Sequence, residues 1–434
     1  MCSIGEDDFG DEGGVHSMVP DVKPTNPILI ESEVVLCNKC KQPAEEVYKL
    51  PFREAECKEC FLNYVRHKFR AALGSSKVLP KNANILLIFD GSVQSLVLMD
   101  MLHNAQTQNT FKRLHCNATV LYIDDHQLNN VSEYSSAEYK KFIQDIQSAC
   151  SNYEQFESYI LPLTKADKVS DLIYNLKSLP GHYIESTSKI KSDFKQAVDC
   201  MKSLTSRQDF IKHYRSKITS LAAKHFNSQF AFKADISSDL ASDLLSAIAL
   251  GRGGSAALDV ALVDNRLDDN VKIVRPLKDL TEEEINLYVK AQSLQLLENH
   301  NSYGNDFGST ASLQNLTKAF VKDLQQNYSS TVSTVFRTGS KIASQMDGDS
   351  SRKCEKCCVF CKSPLDYKDS TTLLAIEFSR IVSECGIKTE DTSELSMEAQ
   401  KHVDGDIEGC DLTQVCHGCR NIYADSSNKD ILLQ

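Results

Sequence analysis

Residues 84–95 read NILLIFDGSVQS, an apolar run followed by a glycine turn and a helix-like stretch. A strand, a tight turn and a helix N-terminus in this order are typical of phosphate-binding loops, because the free N–H groups of the first helical turn point at the anion. Asp90, however, places a carboxylate inside the turn. The stretch predicts an α/β fold with a degenerate nucleotide loop made of Asp90, Gly91, Ser92, Gln94 and Ser95.

Strand-like and helical segments alternate after this loop. Strands are predicted at ATVLYID (118–124) and SYILPL (158–163), and strands or near-strands at ALDVAL (257–262) and VKIVRPLKDL (271–280). Helices are predicted near 136–153, before LGRGG (250–254), from TEEEINLYVKAQ (281–292) and near 312–327. Strands separated by helices of this length predict a doubly wound parallel sheet.

The composition is that of an ordinary globular protein. The chain has 434 residues, of which 41% are hydrophobic and 25% charged. No run approaches the ~18 apolar residues of a membrane helix. The start, MCSIGEDDFGDEGG, is acidic where a signal peptide is basic and apolar. We therefore expect a soluble, cytoplasmic protein.

Sixteen cysteines without a secretion signal indicate metal sites rather than disulfides, because reducing compartments keep thiols free. Two CxxC pairs near the N-terminus enclose a hairpin-sized segment around EEVYKL. Four thiolates at this spacing are typical of structural zinc. The pattern predicts a zinc ribbon, with incidental buried thiols as the alternative, at Cys37, Cys40, Cys57 and Cys60.

The segment around this ribbon is basic in an acidic chain. The net charge of the protein is -11, yet residues 37–81 hold ten Lys or Arg against five Glu and no Asp. A helix predicted over 61–74 carries Arg66, Lys68 and Arg70. Contact with a polyanion is best sought here, and an ordinary solvated lysine-rich face is the alternative.

A second cysteine group lies in the C-terminal region, in CEKCCVFC (354–361) and CDLTQVCHGC (410–419). We predict a second zinc site, formed when the chain folds back over a helix at 371–385, from Cys358, Cys361, Cys416 and Cys419. Three spare thiols offer substitutes, namely Cys354, Cys357 and Cys410. A cysteine-rich docking tail without metal is the alternative.

Composition and patterning divide the chain into five parts. We predict a disordered acidic leader, a zinc ribbon with a basic helix, an α/β domain, a helical linker and a C-terminal zinc-binding module, at 1–33, 34–80, 81–300, 301–350 and 351–434.

The order of these parts resembles the cytoplasmic tRNA 2-thiolation protein 2 family, which belongs to the PP-loop ATP pyrophosphatases. The resemblance runs from about Cys37 to about Cys419, and its segments include CFLNYVRHKFRAALG, LGRGG, VRPLKDLTEEEINLYV and TKAFVKDLQQNYSSTVSTVFRTGSK. It implies an adenine nucleotide alpha hydrolase-like sheet of PP-loop type, flanked by N- and C-terminal zinc-binding modules.

Two departures from the catalytic pattern accompany the resemblance. The PP-loop pattern Ser-Gly-Gly-x-Asp-Ser falls on residues 90–95, where only Gly91 and Ser95 match. A Gly-His-Asn-x-Asp-Asp-like run falls on 234–239, where only Asp239 matches. The cysteines between the two zinc regions are isolated, which is typical of buried small side chains rather than nucleophiles: Cys116, Cys150 and Cys200.

The resemblance implies a non-catalytic subunit that binds zinc, with ATP binding doubtful. It implies a heterodimer with a catalytic PP-loop subunit, which transfers sulfur from a thiocarboxylated ubiquitin-like carrier to the wobble uridine of lysine, glutamate and glutamine tRNAs. The tRNA contacts expected in this chain are Arg66, Lys68, Arg70 and Arg252. The alternatives are an autonomous ATP-dependent tRNA sulfurtransferase, with Arg252 offsetting Asp90 and Cys116 as thiol, and a zinc-ribbon scaffold unrelated to RNA.

Overall fold

The computed structural model describes residues 35–75, 78–108, 113–128, 136–163, 166–181, 183, 194–268, 271–297, 303–304, 307–347, 357–365 and 414–428. The predicted leader, the predicted helix at 371–385 and the spare thiols Cys354 and Cys410 lie outside these residues. Within the described ranges, no helix is both long and apolar enough to cross a bilayer.

Eleven strands are described. They are β1 Val35–Leu36, β2 Pro43–Ala44, β3 Val47–Leu50, β4 Arg53–Cys57, β5 Ala83–Phe89, β6 Cys116–Asp124, β7 Glu157–Pro162, β8 Tyr174–Asn175, β9 Phe230–Phe232, β10 Val263–Asp268 and β11 Val271–Val274. β1 pairs with β2 and β3 with β4, as two small antiparallel hairpins. The remaining seven form one sheet in the order β10-β11-β9-β5-β6-β7-β8.

The centre of the sheet is parallel. Strands β11, β9, β5, β6 and β7 run in one direction, and the edge strands β10 and β8 are antiparallel to their neighbours. The predicted strands at 84–89, 118–124, 158–163 and around 271–274 are confirmed. The chain moves from β5 outward through β6 and β7, then returns to place β9 on the other side of β5.

The α-helices bracket these strands. They are α1 Lys58–Ser75, α2 Val93–Thr107, α3 Ser136–Ser151, α4 Leu204–His225, α5 Ser237–Ala249, α6 Gly253–Asp259, α7 Glu282–Gln292, α8 Leu313–Asn327, α9 Ser329–Asp347 and α10 His417–Asp425. Helix α7 begins with a capping box, in which Thr281 and Glu284 satisfy each other's backbone N–H groups.

Both faces of the sheet are covered. Because side chains alternate along a strand, Ile85 and Leu87 of β5 enter a core with α1, α2, α3 and α7, whereas Leu86 enters a second core with α4 and the C-terminal cysteines. A strand buried on both faces has no polar side to show. This is the physical reason for the continuous apolar run at 85–89.

One strand prediction is wrong. The segment ALDVAL, at 257–262, was expected as a strand or near-strand, but Gly253–Asp259 is helical. Ala256 and Ala257 are buried there, and the helix packs against α5 in a third core cluster. A short run of small and apolar residues fits a buried strand and a buried helix equally well, and tertiary packing decides between them.

The segment predicted as a linker, 301–350, carries α8 and α9. Val321 of α8 and the side chains of Val332 and Phe336 on α9 are buried against Leu240 and Leu244 of α5. These helices therefore enlarge the core instead of only joining two modules. The predicted domain boundaries stay a prediction.

Candidate metal centres and nucleotide-type cavity

The four predicted N-terminal cysteines come together between the two hairpins. The Sγ atoms of Cys37, Cys40, Cys57 and Cys60 all lie within 4.8 Å of one another. The Sγ atoms of Cys40 and Cys57 are 3.8 Å apart. Four sulfurs at ~2.3 Å from one ion form a tetrahedron with edges of about 3.8 Å, so this group fits a single zinc ion.

The four predicted C-terminal cysteines also come together. Cys358, Cys361, Cys416 and Cys419 are all buried and their Sγ atoms lie within 4.8 Å of one another. The Sγ atoms of Cys361 and Cys416 are 3.5 Å apart. Cys357, a spare thiol of the sequence prediction, is exposed instead. The group packs against Phe210 and Tyr214 of α4, so the second centre is part of the α/β core.

The first CxxC of each centre adopts the same turn. Lys41 N donates to the carbonyl oxygen of Cys37 at 2.8 Å, and Lys362 N donates to that of Cys358 at 3.0 Å. Both lysines have positive φ, 61° and 58°. In the first turn, backbone N–H groups of Cys40 and Cys57 lower the pKa of Cys37 to about 6. N–H groups aimed at a thiolate are what a metal-binding knuckle requires.

The predicted tRNA-binding side chains of α1 lie where the N-terminal module packs on the α/β core. Lys68 Nζ contacts Glu284 Oε1 at 2.6 Å, and the Glu284 side chain is only 4% exposed. Arg66 Nε donates to the Tyr288 hydroxyl at 3.5 Å, and Arg70 donates to the side chain of Gln108. All three therefore help to hold the module in place. Their contact with tRNA stays a prediction.

The loop after β5 keeps the shape of a phosphate loop. Gly91 has φ of 82°, a conformation that favours glycine, and Ser92 caps α2 by accepting from Ser95 N at 3.2 Å. Asp90 Oδ1 accepts the N–H of Ser92 at 3.0 Å. A carboxylate of the protein thus occupies one of the N–H groups that a phosphate would use.

A cavity of about 510 Å³ opens beside this loop, at the carboxyl ends of the parallel strands. Its wall includes Asp90 after β5, Ile123 of β6 and Lys233 after β9. Strand order reverses between β5 and β9, and open α/β sheets bind ligands at such a switch point. The cavity therefore lies where open α/β sheets bind nucleotides.

The charges of the cavity are largely paired within the protein. The N···O pairs are Lys212 with Asp243 at 2.9 Å, Lys233 with Asp235 at 2.9 Å, Arg275 with Asp235 at 3.1 Å, Arg266 with Asp264 at 2.6 Å, and Arg266 with Asp259. A phosphate would have to compete with these carboxylates for each cation. Burial, followed by the charges of Asp235 and Asp243, raises the pKa of Asp239 to about 7, against the opposing charge of Lys318.

Arg252 lies away from the loop. Its side chain is 2% exposed, its Nη2 is 2.7 Å from Asp209 Oδ2, and it contacts Cys419. Its charge is therefore already paired inside the protein, and the two roles that the sequence suggested for it, tRNA contact and the offset of Asp90, stay predictions. Cys116 is also no activated thiol, because burial raises its pKa.

Sequence reasoning missed the acidic partners of the predicted cations. Glu284 lies more than 200 residues from Lys68 in the chain, and Asp209 lies 43 residues from Arg252. Glu284 carries a local signal only as the fourth position of the capping box in TEEE. For Asp209 no local signal exists, because its pairing depends on the packing of α4 against the LGRGG loop.

The parallel sheet, the glycine turn and the switch-point cavity define an α/β protein of PP-loop-like fold with two tetracysteine centres. Among solved structures it is similar to the U34-tRNA thiolase NcsA from Methanococcus maripaludis with its [4Fe-4S] cluster, at a TM-score of 0.50 and 17% identity, over 74% of this chain and 90% of that chain. At this identity, the likeness shows the fold alone.

Family comparisons are more specific. A family model for cytoplasmic tRNA 2-thiolation protein 2 matches residues 312–421. The chain is 46% identical to the protein of that name from Drosophila yakuba over 440 residues, covering 100% of both, and 48% identical to that from Drosophila persimilis over 430 residues, covering 98% of both. The chain belongs to the cytoplasmic tRNA 2-thiolation protein 2 family, a family of tRNA thiolation in the cytoplasm, as the sequence predicted.

The two centres suit single ions better than iron–sulfur clusters. In a [4Fe-4S] cluster each thiolate binds a different iron atom, so the four sulfurs stand further apart than around one ion. Sulfurs within 4.8 Å of one another match the single-ion geometry. If both ions are zinc, Cys37, Cys40, Cys57 and Cys60 hold the first, and Cys358, Cys361, Cys416 and Cys419 hold the second.

Proposed function

We propose that this chain is a non-catalytic subunit for 2-thiolation of the wobble uridine in cytosolic lysine, glutamate and glutamine tRNAs. It acts as a heterodimer with a catalytic PP-loop subunit that takes sulfur from a thiocarboxylated ubiquitin-like carrier. One observation carries the non-catalytic assignment. The Asp90 carboxylate accepts the N–H of Ser92 inside the loop, so the protein itself occupies part of the phosphate position.

The chemistry of the neighbouring groups supports this assignment. Adenylation needs positive charge and free N–H groups where the phosphate charge develops. Arg215 lies in the cavity wall and feels the charge of Asp90, but it pairs with Asp125 at 2.8 Å. Gln94 stands where the family pattern has an aspartate, and an amide is a poorer Mg²⁺ ligand than a carboxylate.

A second function, that of an autonomous ATP-dependent sulfurtransferase, is favoured by one observation. The cavity of about 510 Å³ at the switch point is retained, with Asp90 and Gln94 in its wall. The two functions predict different effects of variants in this wall. A non-catalytic subunit tolerates them, whereas an enzyme that adenylates its substrate at this site does not.

The deciding experiment is complementation in cells that lack this chain. Thiolated tRNA is measured by its retardation in mercury-containing gels and by mass spectrometry of nucleosides. We expect the wild-type chain, Asp90→Asn and Gln94→Ala to restore 2-thiouridine equally, and an affinity-tagged chain to co-purify with a PP-loop protein that has an intact loop. Loss of thiolation in a folded Gln94→Ala variant would show that the loop is catalytic.

A further inference from the structure

Arg252 of the LGRGG segment lies inside the protein beside the C-terminal cysteine centre. It is 4% exposed, and its guanidinium faces Asp209 of α4 as a two-pronged fork, with Nη1 to Oδ1 at 2.9 Å and Nη2 to Oδ2 at 2.7 Å. The same Nη2 lies 3.5 Å from Cys419 Sγ. One side chain thus joins α4, the α5–α6 connection and a thiol of the centre.

The second CxxC of the centre is shaped around this guanidinium. Gly418 lies between Cys416 and Cys419, and a Cβ atom built on it would come within 2.6 Å of Nη1 and 2.7 Å of Nε of Arg252. Only a glycine lets the planar group approach the backbone so closely. The contact therefore depends on both segments, because the guanidinium of Arg252 in LGRGG requires a glycine opposite it in the second CxxC.

The charge of the site explains why a cation is placed there. Four thiolates around a divalent ion leave a net charge near −2, and a buried charge is expensive unless it is paired or hydrogen-bonded. The guanidinium of Arg252 is held by Asp209 and lies against Cys419, so it offers an N–H donor to the buried thiol group. The Nε of Arg252 is buried and makes no hydrogen bond within the described residues.

The N-terminal centre supplies a contrast within the same chain. Cys40 is exposed, and Cys57 and Cys60 are partly exposed, so solvent can screen the charge of that centre. No arginine contact to its sulfurs is found in the part of the chain that the structure describes. Water can therefore screen the charge of the N-terminal centre, whereas groups of the protein must stabilise the charge of the buried C-terminal centre.

We propose that Arg252 is a positioning residue of the C-terminal metal site, which holds Cys419 by an N–H···S contact and is itself oriented by Asp209 against Gly418. Metal retention at this site then depends on the α4 and LGRGG segments of the α/β core. The inference concerns a metal site and holds whether or not the chain acts in a heterodimer.

Metal retention by the full-length chain tests the proposal. Zinc content is measured after titration with a chromophoric chelator, and Cys40→Ser, which removes the N-terminal site, identifies which ion is which. We expect Arg252→Met to weaken the C-terminal site about 10–100-fold, the usual effect of losing a partner that orients a metal ligand. The chelator midpoint of the N-terminal site should not move, because it has no contact with Arg252.

Two further variants and a spectrum separate this role from ordinary packing. Asp209→Asn, which keeps the shape but loosens the fork, should weaken the same site less than Arg252→Met. In the Co²⁺-substituted protein, loss of the N–H···S contact should shift the sulfur-to-cobalt charge-transfer band to longer wavelength, because hydrogen bonds to sulfur tune such centres. If Arg252 only filled space, its replacement would not change the wavelength of that charge-transfer band.

Unchanged retention of both ions, or an unchanged charge-transfer band, in folded Arg252→Met overturns the proposal. Should Arg252→Met unfold and lose both ions together, the decision passes to Arg252→Lys, which keeps the charge without the fork. We expect Arg252→Lys to fold and to lose affinity only at the C-terminal site. An unchanged midpoint there would refute the positioning role.

Discussion

Replacing Asp90 tests why this chain should not use ATP. Asp90→Asn removes the charge, yet its amide oxygen can still accept the N–H of Ser92. Asp90→Ser restores the residue type of the PP-loop pattern and removes both the charge and the Asp90 acceptor. The two variants therefore separate repulsion of the phosphate from occupation of the N–H group, which the structure shows as one hydrogen bond of 3.0 Å.

The size of the charge effect follows from Coulomb's law. Two like unit charges ~4 Å apart repel by about 4 kcal/mol at an effective dielectric of 20, which corresponds to roughly three decades in affinity. The positive charge of Arg215 offsets only part of this, because Asp125 already pairs with it at 2.8 Å. A hydrogen bond to a charged acceptor adds about 1.5–3 kcal/mol, so Asp90→Ser should gain more than Asp90→Asn.

The assay is titration calorimetry with Mg-ATP at ~0.15 M salt, where surface charges are screened but the cavity less so. We expect no saturable binding to the wild type below about 1 mM, and at least tenfold tighter binding to Asp90→Asn. Asp171→Asn, an exposed carboxylate outside the cavity wall, is the matched control and should change nothing. Micromolar ATP binding by the wild type, or no gain in either variant, would refute this reasoning.

Three further outcomes follow from the contacts. Lys68→Ala leaves Glu284 buried without its cation and should destabilise the N-terminal module by about 2 kcal/mol in urea unfolding, whereas the exposed Lys49→Ala should not; equal midpoints would contradict the interface role. Burial raises the pKa of Asp239 from 3.8 to about 7, so its folded form holds a proton that the unfolded chain releases, and stability present below about pH 4 is lost as the pH rises through 7. At pH 8, Asp239→Asn should therefore stabilise the protein by up to about 4 kcal/mol, because an amide has no charge to bury. The unfolding midpoint should rise more at pH 8 than at pH 4. An equal rise at both pH values would exclude a raised pKa of Asp239 as the cause. Cys40→Ser should release one zinc ion and raise proteolysis of the N-terminal module only, because metal binding there is folding energy; an unchanged metal content would exclude the site.

Local signals were sufficient for the central strands and for both cysteine centres. The run at 84–89 contains five consecutive apolar residues, as a strand buried on both faces requires, and the structure has that strand at Ala83–Phe89. CxxC pairs are also local, because each turn places two thiols together by its own backbone. Among the C-terminal cysteines that the structure describes, the predicted set is the one whose sulfurs lie within 4.8 Å of one another.

Signals of the same kind failed where packing decides. ALDVAL, at 257–262, was expected as a strand or near-strand, but its first three residues end the helix Gly253–Asp259, because so short a segment carries too little periodicity to distinguish the two. The sequence also carries no sign that Arg66 donates to Tyr288 and that Lys68 pairs with Glu284 of a distant helix, and the contact of these basic residues with tRNA stays a prediction. Charge in a sequence does not say on which side of a helix a neighbour will lie.

The sequence by itself determined the class of fold, the degenerate loop and the cysteine pairs, since strand burial, turn conformation and knuckle spacing are properties of short segments. Only the tertiary structure decided what the charged side chains do. The Asp90 carboxylate accepts the N–H of Ser92 in its own loop, and Arg252 pairs with Asp209 and contacts Cys419. A buried charge takes the nearest opposite charge that folding brings to it, and that partner can lie anywhere in the chain.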